Sequence, residues 1–296
     1  MKKTYLFTFT AIFLWSTVST ISKLLLSSYD NFQVLWISAF FAMAFLFVLN
    51  TATGNIKRLK EYKLKDYGIS LLIGFPGTFL YYVLFYAGTD LMPASQAFIV
   101  NYTWPIMSVV FACIILKEKM TLRKGIAIGM SFLGVVIVMG DNFSQFNDKM
   151  VLGATCCVLG AACYGLFTSL NQKFRYDKRI SMMLNFVATF ILTSIINLFR
   201  GNLFVPSPIE ALGFIWNGMF SMGIAITVWA IALESGKTAK ISNLAYITPF
   251  ASLIWTSLIL KEELHKNFII GLLVIIIGVI IQLNDKAGDR KVVAKQ

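Results

Sequence analysis

The residues of this chain that could meet a solute are amides, hydroxyls and aromatic rings set inside long apolar runs. One run carries Gln96, Asn101, Tyr102 and Trp104. Another carries Tyr81, Tyr82, Phe85 and Tyr86, and others carry Trp15, Tyr164, Trp229 and Tyr246. Tyr82 and Tyr86, four apart, share one helix face. An amide in an apolar run must be hydrogen-bonded or face water. Gln96 and Asn101 therefore read either as walls of a wet cavity or as hydrogen bonds between helices. Rings interspersed with a few amides and hydroxyls suit a zwitterion that carries an apolar side chain. This is the chemistry of binding. The sequence holds no Ser/His/Asp set and no phosphate loop. Its single histidine, His265, lies in a polar connection beside Glu263. Cys113, Cys156, Cys157 and Cys163 sit in apolar runs with no CxxC spacing, as small packing residues. Neither an enzyme nor a bound metal or other cofactor is expected.

The elements that must position these groups are membrane helices. Of the 296 residues 57% are hydrophobic and 14% charged, against roughly 25% charged in a soluble domain. The expected solvent is lipid. A span needs about 20 apolar residues, and runs of that kind fall near 4–26, 33–52, 67–88, 92–116, 123–140, 149–171, 181–199, 209–233, 239–260 and 268–283. Lys2 and Lys3 before the first run resemble the start of a signal peptide, but the run continues too far and lacks a cleavage site, so it reads as a retained first span. The net charge of +12 does not indicate nucleic acid, because the basic residues are scattered through short connections rather than gathered in a patch. With ten spans and a cytoplasmic N-terminus, twenty-one of the 26 basic residues fall in cytoplasmic segments. Four (Lys149, Arg200, Lys261 and Lys266) fall outside, and Lys23 lies within span one. That bias is the positive-inside rule, and it predicts both termini on the cytoplasmic side of an inner membrane.

The chain repeats itself. Asn101-Tyr102-Thr103-Trp104-Pro105 followed by Ile115-Leu116-Lys117-Glu118 recurs 144 residues later as Ala245-Tyr246-Ile247-Thr248-Pro249 followed by Ile259-Leu260-Lys261-Glu262. Gly74 pairs with Gly218, Asp90 with Glu234, and Gly134 with Gly278. Trp15-Ser16 corresponds, less tightly, to Tyr164-Gly165. The units are 1–142 and 149–285, with a basic tail at 286–296. Five spans is an odd number, so the second unit enters the membrane from the opposite face. The expected fold is all-α and integral to the membrane, with ten transmembrane helices as two inverted five-helix repeats, a construction common in secondary transporters.

All fourteen acidic residues fall in connections or at span ends. Without a mid-span carboxylate to carry a proton, facilitated export or exchange is expected rather than proton coupling. Lys23 either snorkels to the interface or places a cation in the cavity. Pro105 and Pro249, at equivalent mid-span positions, each remove a helix hydrogen bond and read as hinges or as kinks that widen a cavity. Gly125-x3-Gly129 is expected to allow close helix approach.

Phe13-Leu14-Trp15-Ser16-Thr17, Asn101-Tyr102-Thr103-Trp104-Pro105 and the repeated Lys-Glu together resemble the EamA group of the drug/metabolite transporter superfamily over residues 5–284. The Asn-Tyr-x-Trp-Pro string with Asp141-Asn142 is most similar to the bacterial aromatic amino acid exporter branch. Trp15-Ser16 stands where the family usually has Trp-Gly, and Gln96 where some relatives carry Glu. The resemblance implies a ten-helix basket whose central cavity is lined by spans 1, 3, 4, 6, 8 and 9, with spans 5 and 10 peripheral. The substrate-binding residues expected on these grounds are Trp15, Tyr82, Gln96, Asn101, Tyr102, Trp104, Tyr164, Trp229 and Tyr246. The expected partners are a small molecule and the lipid bilayer, with the chain acting as a monomer. A permease for another small organic solute and a membrane scaffold without transport are the alternatives.

Overall fold

The computed structural model describes residues 2–139, 148–174, 177–233 and 244–283. Asp141-Asn142, Glu234 and the tail 286–296 lie outside the described residues. The described chain is helical and contains no strand. Span one is split into α1 (Lys2–Ser16) and α2 (Val18–Leu26) at Thr17, whose hydroxyl turns back to the Leu14 carbonyl at 2.7 Å. A hydroxyl competing for a backbone acceptor in this way bends helices. α3 (Asn31–Ala52) starts on a capping box between Asp30 and Gln33. Span three runs through α4 (Leu64–Gly74), a π-helical stretch at Phe75–Leu80 and α5 (Tyr81–Leu91). Pro76, which has no N–H to give, sits in the π stretch, where the regular ladder is interrupted.

Span four is α6 (Ala94–Asn101) and α7 (Trp104–Ile115), separated by a turn at Tyr102 and Thr103. Then follow α8 (Leu122–Met139), α9 (Asp148–Lys173) and α10 (Lys178–Phe199). Span eight consists of α11 (Pro208–Ile215), a second π-helical stretch at Trp216–Ile224 and α12 (Ala225–Leu233). α13 (Ile247–Leu260) follows a turn at Ala245 and Tyr246, and α14 (Lys266–Leu283) closes the described chain.

Eight of the helical runs are long and apolar enough to cross a membrane. The last two, over Ile247–Leu260 and Lys266–Gln282, are apolar but shorter. α8 and α14 pack on each other at the periphery. Their outward faces present Leu133 and Val136, and Ile277 and Ile280, each about half exposed. An apolar surface of this extent is a lipid-facing surface. Gly134 meets the α14 backbone at Gly271 and Ile275, and Gly278 meets α8 at Met130 and Ala127. Gly125 and Gly129 have open space where a Cβ would stand. The expected close approach there is corrected: the pair faces outward, because the α8 stripe that turns toward α14 is the one carrying Ala127 and Gly134.

Outside the spans, Arg58 of a short 3-10 turn (Asn55–Glu61) bonds Asp177 at 2.6 Å. Asp177 also caps α10 through the N–H groups of Arg179 and Ile180. Partial burial pushes the Asp177 carboxyl up. The Arg58 hydrogen bond, the two backbone donors and the guanidinium charge outweigh it and leave the carboxyl below its ordinary value. A carboxylate depressed in the folded state contributes stability above its unfolded pKa and loses it as pH falls through the folded value. Asp177→Asn keeps an acceptor for the cap and removes the charge facing Arg58, so it is expected to lower thermal stability at neutral pH by a small amount, under about 1 kcal/mol for a partly exposed ion pair. It is also expected to flatten the loss of stability below about pH 4. A pH series of melting curves measures both.

Candidate functional site

A central cavity of about 470 Å3 lies among α1, α2, the span-three and span-four helices, α9, α10, α12 and the start of α13. Its volume falls within the roughly 300–1,000 Å3 of small-molecule sites. The broken helices place its walls. The turn at Tyr102 and Thr103 swings Trp104 and Pro105 to the cavity, and the turn at Ala245 and Tyr246 does the same for Tyr246 and Thr248. The two turns touch: the Tyr102 hydroxyl donates to the Ala245 carbonyl, and the Tyr102 and Tyr246 rings lie edge to face at 6.3 Å.

The rest of the wall is aromatic. Trp15 of α1 meets Trp229 of α12 at 5.3 Å between ring centres. Tyr164 of α9 bridges Tyr81 at 4.9 Å and Trp104 at 5.1 Å. Tyr82 lies edge to face with Tyr81 at 4.8 Å. Asn101 Nδ2 donates to the Tyr81 hydroxyl at 3.1 Å. The buried Asn101 carbonyl oxygen has no hydrogen-bond partner among the described residues. Among the described residues no Asp, Glu, Lys, Arg or His lines the cavity. What the described wall offers is ring faces, hydroxyls and the amides of Asn101 and Gln172.

Trp15, Tyr82, Asn101, Tyr102, Trp104, Tyr164, Trp229 and Tyr246 thus share one cavity, together with Pro105. Gln96 does not join them. It is wholly buried and its Nε2 reaches the Val138 carbonyl of α8 at 3.4 Å. Of the two readings open for this amide, the structure selects the bond between helices. Pro249 is buried in the first turn of α13, off the wall. Lys23 does not line the cavity: its ammonium binds three backbone carbonyls of the α5–α6 turn. The wall also includes Tyr81, which belongs to the aromatic run of span three but not to the expected binding set, and Thr168, Gln172 and Met182, which the residue pattern does not single out. Met182 belongs to span seven, which is not among the spans expected to line the cavity. A separate crevice of about 410 Å3 between α4 and α10 faces lipid and is almost entirely apolar. Without converging polar groups it lacks the features of a specific site.

The described chain is thus a helical, apolar protein with an aromatic central cavity of the size of small-molecule sites. The profile of the EamA-like transporter family matches residues 2–140 and again 151–283, and the chain belongs to that family. It is an integral membrane transporter of small solutes and not an enzyme. An uncharacterized transporter of Clostridium kluyveri is 27% identical over 99% of this chain and 98% of its own length. The aromatic amino acid exporter YddG of Ancylobacter novellus is 25% identical over 82% of this chain and 84% of its own. An S-adenosylmethionine uptake transporter of Rickettsia conorii is 25% identical over 98% and 97%. A solved crystal structure superposes with a TM-score of 0.69 over 95% of this chain and 96% of that one, at 20% identity, which is a likeness of fold.

Proposed function

We propose that the chain exports small metabolites, amino acids and aromatic ones foremost, across the inner membrane. It works as a monomer, by alternating access between two inverted five-helix repeats, 1–142 and 149–285. The observation that carries this reading is the cavity itself: rings from helices of both halves enclose amide and hydroxyl groups and, among the described residues, no fixed charge. Trp15, Tyr82, Asn101, Tyr102, Trp104, Tyr164, Trp229 and Tyr246 are the solute-binding set, and the turns at Pro105 and Pro249 are the hinges.

Several pairs of features 144 residues apart support the inverted repeat. Lys117 and Lys261 both take left-handed backbone, with φ of 56° and 59°. The amide of Glu118 reaches the Ala112 carbonyl, and that of Glu262 the Thr256 carbonyl. The Gly134 contact with Gly271 exchanges with that of Gly278 and Ala127. The π-helical stretches in spans three and eight overlap under the same shift. With 21 basic residues on one side and four on the other, both termini are assigned to the cytoplasm.

Proteoliposomes loaded with labelled tryptophan, phenylalanine or alanine test the function. Flux of the aromatic solutes is expected to exceed that of alanine at least tenfold, the worth of about 1.4 kcal/mol of ring contact. Flux down a gradient is expected to survive an uncoupler, since among the described residues no carboxylate lines the cavity. Equal rates for all three, or a stoichiometric proton flux, would sink the corresponding part. S-adenosylmethionine belongs in the same assay. A ring of aromatic faces also attracts a cation, and preferential flux of that sulfonium solute would favour the permease alternative.

A further inference from the structure

Two charged side chains grip one turn of the chain past Val18, where the cavity wall ends and a mouth on this side would open. The turn joins α5 to α6 at residues 89–95. Lys23, on α2, donates from Nζ to the carbonyls of Thr89 at 2.6 Å, Asp90 at 2.9 Å and Met92 at 3.0 Å. Glu262, just past α13, accepts from the N–H of Ala94 at 2.7 Å and of Ser95 at 2.9 Å, one carboxylate oxygen to each. α2 and α13 are themselves joined where the Ser19 and Ser252 hydroxyls meet at 2.9 Å. The grip therefore runs from α2 and α13 to the two helices on either side of the turn.

The chemistry of each half of the grip is matched. The last carbonyls of a helix lack intrahelical donors and carry partial negative charge, which an ammonium complements. The first N–H groups of a helix lack acceptors and carry partial positive charge, which a carboxylate complements. Bonds with one ionised partner are roughly twice as strong as neutral ones. Water can replace each of these bonds when the contact releases.

The other end of the cavity differs. The wall continues to Gln172, exposed at the end of α9, and to Met182 near the start of α10. Glu118, the repeat mate of Glu262, follows the same left-handed lysine, yet its carboxylate pairs with Lys124 of α8 in its own half at 2.7 Å. Toward α2, by contrast, the wall ends at Val18, with Lys23 and the gripped turn beyond it.

We propose that Lys23 and Glu262 form a gate that holds this mouth shut, and that its five charge-assisted bonds must release for a solute to pass on that side. The proposal rests on the transport reading of the cavity. A role confined to capping helices would stabilise α5 and α6 without deciding which side reaches the cavity, so the test reads sidedness.

In a chain with Cys113, Cys156, Cys157 and Cys163 replaced by alanine, Ala245→Cys places one thiol on the cavity wall. A membrane-impermeant maleimide is applied to vesicles of each orientation. The parent is expected to label from the Gln172 side and slowly from the gripped side. Glu262→Gln and Lys23→Gln are each expected to speed labelling from the gripped side roughly tenfold, the loss of about one charge-assisted bond, with little change from the other. Ser19→Ala, which removes a neutral bond at the same contact, is expected to change it less than about twofold. If one charge variant does not fold, the other gives the same reading, and melting curves identify which are intact. Unchanged labelling in an intact charge variant, an equal rise from both sides, or a rise as large in Ser19→Ala would overturn the gate. The assay contains no transported solute. Failure to move any solute tried would count against the transport reading alone.

Discussion

Replacing Tyr164 with alanine is expected to cut transport efficiency roughly ten- to hundredfold while leaving the protein in the membrane at normal levels. Tyr164 stands between Tyr81 at 4.9 Å and Trp104 at 5.1 Å, with Phe167 at 5.6 Å behind it. It joins the wall supplied by span three to that supplied by span four. Removing the ring takes away one aromatic face from a bound solute, about 0.5–1.5 kcal/mol per ring pair. It also leaves Tyr81 and Trp104 without the neighbour that fixes their angle, and each 1.4 kcal/mol is a factor of ten. Because Tyr164 lines a cavity and is not closed into the core, the cost to folding is small. Tyr164→Phe keeps the ring and is expected to retain most activity. The measurement is the initial rate against solute concentration in proteoliposomes. Equal losses in both variants would assign the role to the hydroxyl instead.

The largest expected effect on stability lies at Gly218. A Cβ there would stand 2.1 Å from the carbonyl oxygen of Ser38 and 2.9 Å from its carbon, both backbone atoms of α3. Nothing but a shift of the helix relieves that. Gly218→Ala is expected to cost more than about 3 kcal/mol, at the upper end for overpacking, and to yield little monodisperse protein in detergent. Its repeat mate offers an internal comparison. At Gly74 the Cβ would meet the side-chain amide of Asn185 at 2.1 Å. That amide can rotate, at the expense of its 3.2 Å bond from Ser70, so Gly74→Ala is expected to cost about 1–3 kcal/mol. Thermal unfolding of the two variants side by side ranks them. The reverse order would mean that α3 moves aside more readily than Asn185 turns.

Much of this was legible in the sequence because the signals are periodic or duplicated. Hydropathy places most of the apolar runs within a few residues of their helices, and the recurring Tyr-x-x-Pro marks both helix breaks. The misses have specific causes. Gln96 shares α6 with Asn101, but residue type does not say which face of a helix points at a cavity and which at α8. Lys23 binds only backbone carbonyls, and a backbone acceptor leaves no trace in residue identity. Gly125-x3-Gly129 has the right spacing on the wrong face. Met182 reaches the wall from a span whose polar residues gave no hint of it. Span nine is shorter as a described helix, Ile247–Leu260, than its run in the sequence, because part of that run lies among residues 234–243, whereas span ten, expected over 268–283, is the helix Lys266–Leu283.

The helices of each half have their main neighbours in the other half. α3 lies on α10, α5 and α7 lie on α9, α8 lies on α14, and α1 lies on α12. During synthesis this has a consequence in time. When the first 142 residues have entered the bilayer, almost none of the surfaces they will bury has been made. Gln96 and its α8 acceptor can meet at once, whereas Tyr81 waits for Tyr164 and Ser38 waits for Gly218. The first half must persist in the membrane as a loosely associated set of helices until the second arrives. Its amides and hydroxyls are then bonded to whatever lies nearest. Quality control would meet the nascent chain in that interval, and a destabilised second half would betray itself as loss of the first.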